Sequence, residues 1–285
     1  MNKIHIVTVA TESKYYFPYL IESCKKNNIE LTILGFGEKW KGFNWRFNLM
    51  REFLRKLPPD DIVCFVDGYD VICTRNLNEL KDNFINIKNK TQRKIITGYH
   101  RFNSYIVNSI AKSRFKGDIN AGTYIGECKD LLDMFKNISN TDNSSDDQEL
   151  LNKYNNENVN IIHIDKDEEL FGTSLHIYPC YDISKFYTVE NNKIYTKKIK
   201  KQPFFIHGPN NANLSVILEK LNYNPDKTIT RKLKQEYKDK VVRIVWFDMI
   251  NIINKSSNII SRILILILII VIFFVIHSYL KTTVL

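Results

Sequence analysis

Asp67 and Asp70 close the segment Ile62-Val-Cys-Phe-Val-Asp67-Gly-Tyr-Asp70-Val-Ile72, in which a run of apolar residues ends on a tight turn carrying two carboxylates. An unbroken apolar run of this kind reads as a buried strand, and ligands of α/β sheets gather beyond the carboxyl ends of such strands. Two carboxylates at that place have the chemistry of a divalent-cation site. Mg²⁺ and Mn²⁺ are hard ions that take one or two carboxylates together with the phosphates of a substrate. The same residues also fit a solvated turn, because Asp-Gly is a common turn dipeptide. The cysteines Cys24, Cys64, Cys73, Cys128 and Cys180 lack Cys-x-x-Cys spacing, which argues against a structural zinc site. Cys64 and Cys73 fall in strand-like runs and read as small buried hydrophobes.

The elements that would position such a site alternate along the chain. His5–Ala10 reads as a strand, Tyr15–Asn27 as a helix, Glu30–Gly35 as a strand, Phe47–Leu57 as a helix closed by Pro58-Pro59, and Ile62–Val66 as a third strand. Leu77–Phe84 then has helical spacing and Lys94–Thr97 reads as a strand. Beyond them come a strand over Ile119–Ile125, helices over Lys129–Phe135 and Asp147–Tyr154, and strands over Val159–Ile164 and Pro203–Ile206. Short apolar strands separated by crossover helices predict a mainly parallel sheet covered on both faces.

At 285 residues and 44% hydrophobic content the chain suffices for one sizeable α/β domain, expected over residues 1–225. The formal charge of +10 suits an anionic partner, and much of it lies in Lys197, Lys198, Lys200, Lys201, Arg231, Lys232, Lys234, Lys238, Lys240 and Arg243. Residues 226–257 therefore read as a basic segment leading to an apolar run over 258–280 and a short tail, 281–285. About 22 residues at ~1.5 Å each span roughly 33 Å, close to the ~30 Å hydrocarbon core, so a single transmembrane helix is expected there. Met1–Ala10 passes straight into a strand pattern, which predicts a tail-anchored chain with its domain on the cytosolic face. Sequons at Asn89, Asn137, Asn143, Asn213 and Asn254 would suit the opposite, lumenal face. No nucleic-acid motif accompanies the positive charge.

Several further segments occur in order along residues 4–215: Val7-Thr-Val-Ala-Thr-Glu12, Leu34-Gly-Phe-Gly-Glu-Lys-Trp40-Lys-Gly42, Phe65-Val-Asp-Gly-Tyr69-Asp70-Val, Ile119-Asn120-Ala-Gly-Thr-Tyr-Ile-Gly126, Asp146-Asp147-Gln148 and Phe205-Ile-His207-Gly208. As an ordered set they resemble the glycosyltransferase domain of procollagen-lysine hydroxylases and its relatives in large DNA viruses. The resemblance implies an α/β fold of the GT-A type, a Rossmann-like nucleotide-binding domain that uses a UDP-sugar with Mn²⁺, Mg²⁺ being a second choice of metal. It implies His207 as a third metal ligand beside Asp67 and Asp70, and an imidazole suits Mn²⁺ better than Mg²⁺.

The resemblance also implies a donor end. Thr8, Thr11 and Tyr69 would meet the uridine, Trp40 would stack on the uracil, and Arg46 would reach a phosphate. Gly208 would let the backbone approach the diphosphate, with Asn210 or Lys220 touching it. Each residue has a plainer reading: Thr8 and Thr11 as a strand-to-helix connection, Trp40 as a core aromatic, Arg46 as a solvated cation at a helix start. Asn120, Asp146 and Asp147 would form the catalytic, sugar and acceptor end, where carboxylates bind sugar hydroxyls or stabilise an oxocarbenium ion. Ser144, Ser145, Asp146 and Asp147 equally suit a helix N-terminus.

Departures from the family pattern fall at the acceptor end. The acidic run is shortened to Ser144-Ser145-Asp146-Asp147, Ser-Gly-Gly is Ala121-Gly122-Thr123, and Gly98-Tyr-His-Arg-Phe-Asn103 stands where acidic and aromatic residues are usual. The dioxygenase domains are expected to be absent. The expected activity is therefore hexosyl transfer from UDP-glucose or UDP-galactose to a hydroxyl acceptor, such as hydroxylysine of a collagen-like polypeptide. The expected location is the endoplasmic reticulum or another host endomembrane. Two other readings compete: a non-catalytic domain that binds nucleotide-sugar, and a basic protein of the membrane surface.

Overall fold

The computed structural model describes residues 2–101, 109, 112, 113, 115–138, 146–173, 175, 176 and 180–239. The apolar run 258–280, the tail 281–285, residues 240–257 of the basic segment, Ser144, Ser145, Phe102 and Asn103 lie outside them. Among the described residues no helix is long and apolar enough to cross a membrane. The chain divides into two compact units, Met1–Ile229 and Thr230–Leu285. Of the second, residues 230–239 are described and are helical.

In the first unit, β1 (Ile4–Val9), β2 (Leu31–Leu34), β3 (Ile62–Val66), β5 (Ile95–Tyr99), β6 (Ile119–Glu127) and β7 (Ile162–Asp165) form one six-stranded sheet. Its order is β2-β1-β3-β6-β5-β7. Neighbours pair in parallel except around β6, which runs against both β3 and β5. The sheet is thus mainly parallel, with one reversed strand. A smaller sheet has the order β4-β11-β8, from β4 (Val71–Cys73), β8 (Phe171–Thr173) and β11 (Phe205–His207). A hairpin of β9 (Tyr187–Glu190) and β10 (Lys193–Thr196) completes the strands. Neither β4, β8 nor this hairpin stands out in the hydropathy pattern, because short strands carry too few residues to show a period.

Helices cover both faces of the large sheet. Every residue of β3 is buried, and alternate side chains serve opposite sides, as the period of two requires. Val63 and Phe65 pack with Phe47, Met50 and Leu54 of α2 (Phe43–Leu54), with Leu131 and Phe135 of α4 (Cys128–Ile138), and with Leu151 of α5 (Asp147–Glu157). Ile62, Cys64 and Val66 pack with Leu20 and Cys24 of α1 (Phe17–Lys26), with Leu80 and Phe84 of α3 (Leu77–Thr91), and with Phe171 and Phe205 of the smaller sheet. Cys64 and Cys73 are free and buried, as their strand-like surroundings imply. A short helix, α6, covers Ser215–Lys220.

Two differences from the sequence expectation bear on the site. Helix α2 begins at Phe43, not at Phe47, because Gly42 takes φ 107, a conformation that favours glycine, and turns the chain into the helix. Arg46 is consequently inside the first turns of α2. The last strand of the large sheet starts at Ile162, while Val159 is 70% exposed and belongs to the turn before it. At the end of β7, the buried Asp165 accepts the backbone N–H groups of Glu169, Leu170 and Phe171 and so fixes the entry to β8. Burial outweighs those donors and raises its pKa to about 6.

The opposite end of the sheet is tied by His5 and Asp61. His5 Nε2 lies 2.8 Å from Asp61 Oδ2, and the Lys3 N–H donates to Asp61 Oδ1 at 2.9 Å. Burial alone would raise the Asp61 pKa, but these partners outweigh it and hold the carboxyl below its ordinary value. A depressed carboxyl pKa stabilises the fold above the unfolded pKa of about 4, and that stabilisation is lost as pH falls through the folded value. Asp61→Asn should therefore lower the thermal midpoint by a few degrees at pH 7, as expected for ~1 kcal/mol in a domain of this size. The variant's midpoint should also fall less than that of the parent between pH 5 and pH 2, the two converging in acid. Parallel acid limbs in differential scanning calorimetry would refute this assignment.

Candidate functional site

The carboxyl ends of β1 and β3 and the end of β11 converge on one group of side chains. Asp67 follows β3 directly, and its N–H donates to the Gly122 carbonyl of β6 at 2.8 Å. Because β6 is reversed, its first half lies beside the carboxyl end of β3, with Thr123 opposite Val66. The smaller sheet contributes the rest: β11 runs antiparallel to β4 with His207 opposite Val71, and the Gly208 N–H donates to the Asp70 carbonyl at 2.8 Å. Strands distant in sequence thereby bring His207 against the turn that holds both aspartates.

Asp67, Asp70 and His207 each offer one ligand atom, all within 4.8 Å of one another. His207 Nε2 faces Asp70 Oδ1 at 3.3 Å and Asp67 Oδ2 at 3.6 Å. The other ring nitrogen, Nδ1, lies 2.9 Å from Asn120 Oδ1, an acceptor, so Nδ1 donates there and Nε2 is the nitrogen turned toward the carboxylates. Asn120 Oδ1 also accepts the Gly122 N–H at 3.0 Å. Burial opposes charging of His207, but Asp70 and Asp67 outweigh it and hold the pKa above the ordinary histidine value.

These residues fit a divalent cation. His207 Nε2 is buried and faces the two carboxylates, so a cation bound there would take the place of the imidazolium proton that they favour. Its tautomer is set by a carbonyl-type oxygen on the far nitrogen, as in metal-bound histidines. Space is kept open by Gly122, where a Cβ would stand 2.3 Å from His207 Cε1 and 2.6 Å from Asp67 Oδ2. Two carboxylates and one imidazole suit Mn²⁺.

The remaining expected residues separate into groups. Asp147 is buried at the first position of α5, and its Oδ2 pairs with Arg46 Nη2. Asp146 instead caps that helix, its Oδ1 accepting the N–H groups of Gln148 at 3.0 Å and Glu149 at 3.1 Å. Arg46 does not extend into solvent: Nη1 donates to Asp67 Oδ1, and the guanidinium lies over the rings of Phe43 and Phe65, 5.6 Å from each centroid. Tyr69 holds the loop after β1, its hydroxyl accepting the N–H groups of Thr11 at 2.9 Å and Glu12 at 3.3 Å. The Thr11 carbonyl in turn accepts the Gly37 N–H at 2.9 Å, which joins the loops after β1, β2 and β3.

Thr8 is wholly buried under Gly68, where a Cβ would lie 3.1 Å from Thr8 Oγ1. Trp40 is 42% exposed and touches Phe43 and Trp45 edge-on, so it is not a core residue. Gly208 is required by packing, since a Cβ would meet Ala212 Cβ at 2.8 Å and Leu214 Cδ2 at 2.9 Å. Asn210 is exposed with φ 61, and its carbonyl accepts the Cys180 N–H. Lys220 is exposed at the end of α6.

Two residues of the site lack a recognisable sequence signal. Gly122 is visible in sequence as part of Asn120-Ala-Gly-Thr123, yet its need for a bare Cα comes from His207, which is remote in the chain. His100 Nδ1 lies 3.1 Å from Gln148 Nε2, so the ring accepts from the amide and joins the end of β5 to the first turn of α5. Burial, reinforced by nearby His207, lowers the His100 pKa to about 4 and keeps the ring neutral.

The family model described as the PLOD GT domain matches residues 1–234. The chain belongs to the PLOD GT domain family. It is a glycosyltransferase-family protein, in agreement with the motif order. Among its relatives, "Procollagen-lysine,2-oxoglutarate 5-dioxygenase" of Drosophila melanogaster is 30% identical over 164 residues, covering 52% of this chain and 22% of the relative. "Multifunctional procollagen lysine hydroxylase and glycosyltransferase" of Caenorhabditis elegans is 26% identical over 166 residues, with the same coverage, 52% and 22%. The chain thus matches about a fifth of the length of these relatives. A crystal structure of a glycosyltransferase involved in glycosylation of the major capsid of PBCV-1 superimposes with a TM-score of 0.46 at 14% identity, covering 78% of this chain and 100% of that one.

The geometry makes Gly122 a direct test of the candidate metal centre. Gly122→Ala should weaken Mn²⁺ binding at least tenfold in calorimetric titration, since the new methyl displaces His207 or Asp67, and ligand misplacement of this kind costs about 10–100-fold in metal affinity. Far-UV circular dichroism should stay that of the parent chain. An unchanged Mn²⁺ affinity would remove His207 and Asp67 from the ligand set.

Proposed function

We propose that this protein transfers a hexose from a UDP-sugar to a hydroxyl acceptor, with Mn²⁺, or less favourably Mg²⁺, held by Asp67, Asp70 and His207. The observation that carries this reading is the convergence of two carboxylates and a buried imidazole nitrogen, its ring oriented by Asn120, beside a glycine that keeps the space open. A cation bound there would offset the charge that builds on the UDP leaving group. Asn120 orients His207, and Tyr69 fixes the loop of Thr11 beside the aspartates. Trp40 offers an exposed ring face for the uracil. Asp147, paired with Arg46, would accept hydrogen bonds from sugar hydroxyls or stabilise positive charge at the anomeric carbon.

UDP-glucose and UDP-galactose are the proposed donors. The fly and worm relatives carry procollagen lysine in their names, so the proposed acceptor is the hydroxyl of hydroxylysine in a collagen-like polypeptide. In a direct test, the purified full chain is mixed with each donor and Mn²⁺, and UDP release is followed. Turnover should require the metal, Asp70→Ala should abolish it, and Trp40→Ala should weaken UDP binding about tenfold, as expected for loss of one base–aromatic stack. Metal-independent release, or full activity of Asp70→Ala, would exclude this mechanism.

The apolar run 258–280 supports attachment to the endoplasmic reticulum or another endomembrane, and its basic flank supports a cytosolic domain. Full-length chain synthesised with microsomes should resist carbonate extraction and be digested by added protease. Extraction into carbonate would rule out the anchor, and protease protection would reverse the orientation.

A further inference from the structure

Arg46 is the charged group whose surroundings depart furthest from a role at a phosphate. Both terminal nitrogens are engaged, Nη1 with Asp67 and Nη2 with Asp147, and its side chain is only 10% exposed. The guanidinium also lies over the rings of Phe43 and Phe65. Phe65 is itself stacked on Tyr124 at 4.7 Å and 14°, so the platform beneath the guanidinium is rigid. Asp147 has a side-chain exposure of 8%. Turning Arg46 toward a phosphate would leave this buried carboxylate without its counter-charge, which is strongly unfavourable.

Resting on the metal-dependent reading above, we propose that Arg46 is a positioning residue that couples the metal ligand Asp67 to Asp147, and that it makes no contact with the donor phosphates. One planar fork spans two carboxylates and shares a single positive charge between them. Without the Asp147 carboxylate, the guanidinium settles wholly on Asp67 and competes more strongly with a cation for that oxygen. Asp147 thereby influences metal affinity although it is not one of the three residues grouped as metal ligands. The same link keeps Asp147 fixed relative to the cation, so that the metal end and the sugar end of the site are set as one unit.

A double-mutant cycle on the full chain, read by Mn²⁺ electron paramagnetic resonance without any sugar donor, tests this directly. Asp147→Asn should weaken Mn²⁺ binding about tenfold in the parent chain but twofold or less in an Arg46→Gln background, a fivefold coupling typical of residues in one network. Arg46→Lys keeps the charge but cannot span both carboxylates, and the coupling should fall there as well, with the thermal midpoint showing that the chain is folded. Additive effects of the two substitutions, or undiminished coupling in Arg46→Lys, would overturn the proposal. So would an Arg46→Gln chain that binds Mn²⁺ normally with intact coupling to Asp147 and loses only UDP affinity, the mark of a phosphate contact. Since no donor is present, a coupled cycle in a chain that fails to release UDP would sustain Arg46 and refute the transferase reading, whereas no Mn²⁺ binding by the parent chain would refute both.

Discussion

Three carboxylates, those of Asp67, Asp70 and Asp147, crowd the rim of a sheet whose strands are apolar and buried, and the geometry of this end of the molecule follows from how their repulsion is met. At an effective dielectric near 20, two like charges ~4 Å apart repel by about 4 kcal/mol. The chain answers with two groups from elsewhere: Arg46, which pairs with Asp67 and Asp147, and His207, which faces Asp67 and Asp70. Neither answers all of the charge. One guanidinium and one imidazole against three carboxylates leave an electronegative cleft, which is the environment a divalent cation seeks.

Meeting that constraint dictates the chain path around it. Arg46 must leave α2 at the right height, and Gly42 at φ 107 starts the helix early enough to allow it. His207 must enter between the aspartates and β6, and Gly122 gives up a side chain there. Asn120 then holds the imidazole through Nδ1, which leaves the other nitrogen for a ligand. Asp147 is brought in by α5, whose start is fixed by the Asp146 cap and by the contact of Gln148 with His100. The smaller sheet serves to deliver one histidine: β11 pairs with β4 on one side and β8 on the other, and His207 is its last residue.

The proposed donor side is built on a different principle. Its loops are tied to one another by hydrogen bonds, with Thr11 bonded to both Tyr69 and Gly37, and they present aromatic surface. Phe36, Trp40 and Phe43 are all substantially exposed, an unusual grouping for large apolar side chains in a domain with a well-filled core. A rigid rim of ring faces suits a flat heterocycle.

Much of this architecture is legible in the amino-acid sequence by itself. The apolar run Ile62–Val66 ending in Asp67-Gly-Tyr-Asp70 announces a central strand with a metal-type turn, because burial on both faces demands an unbroken apolar run and the strand end is where a turn can expose carboxylates. The order of the motifs likewise identifies the family. Hydropathy does not encode direction and pairing. The reversal of β6, the three-residue strands β4, β8 and β11, and the bare Cα of Gly122 are set by contacts between residues far apart in sequence, and local periodicity carries no record of such contacts. The same holds for charge, since Asp146 and Asp147 look equivalent along the chain. Only the packed structure separates them, since helix geometry turns Asp146 back to cap its own N-terminus and sends Asp147 inward, where desolvation makes a partner such as Arg46 obligatory.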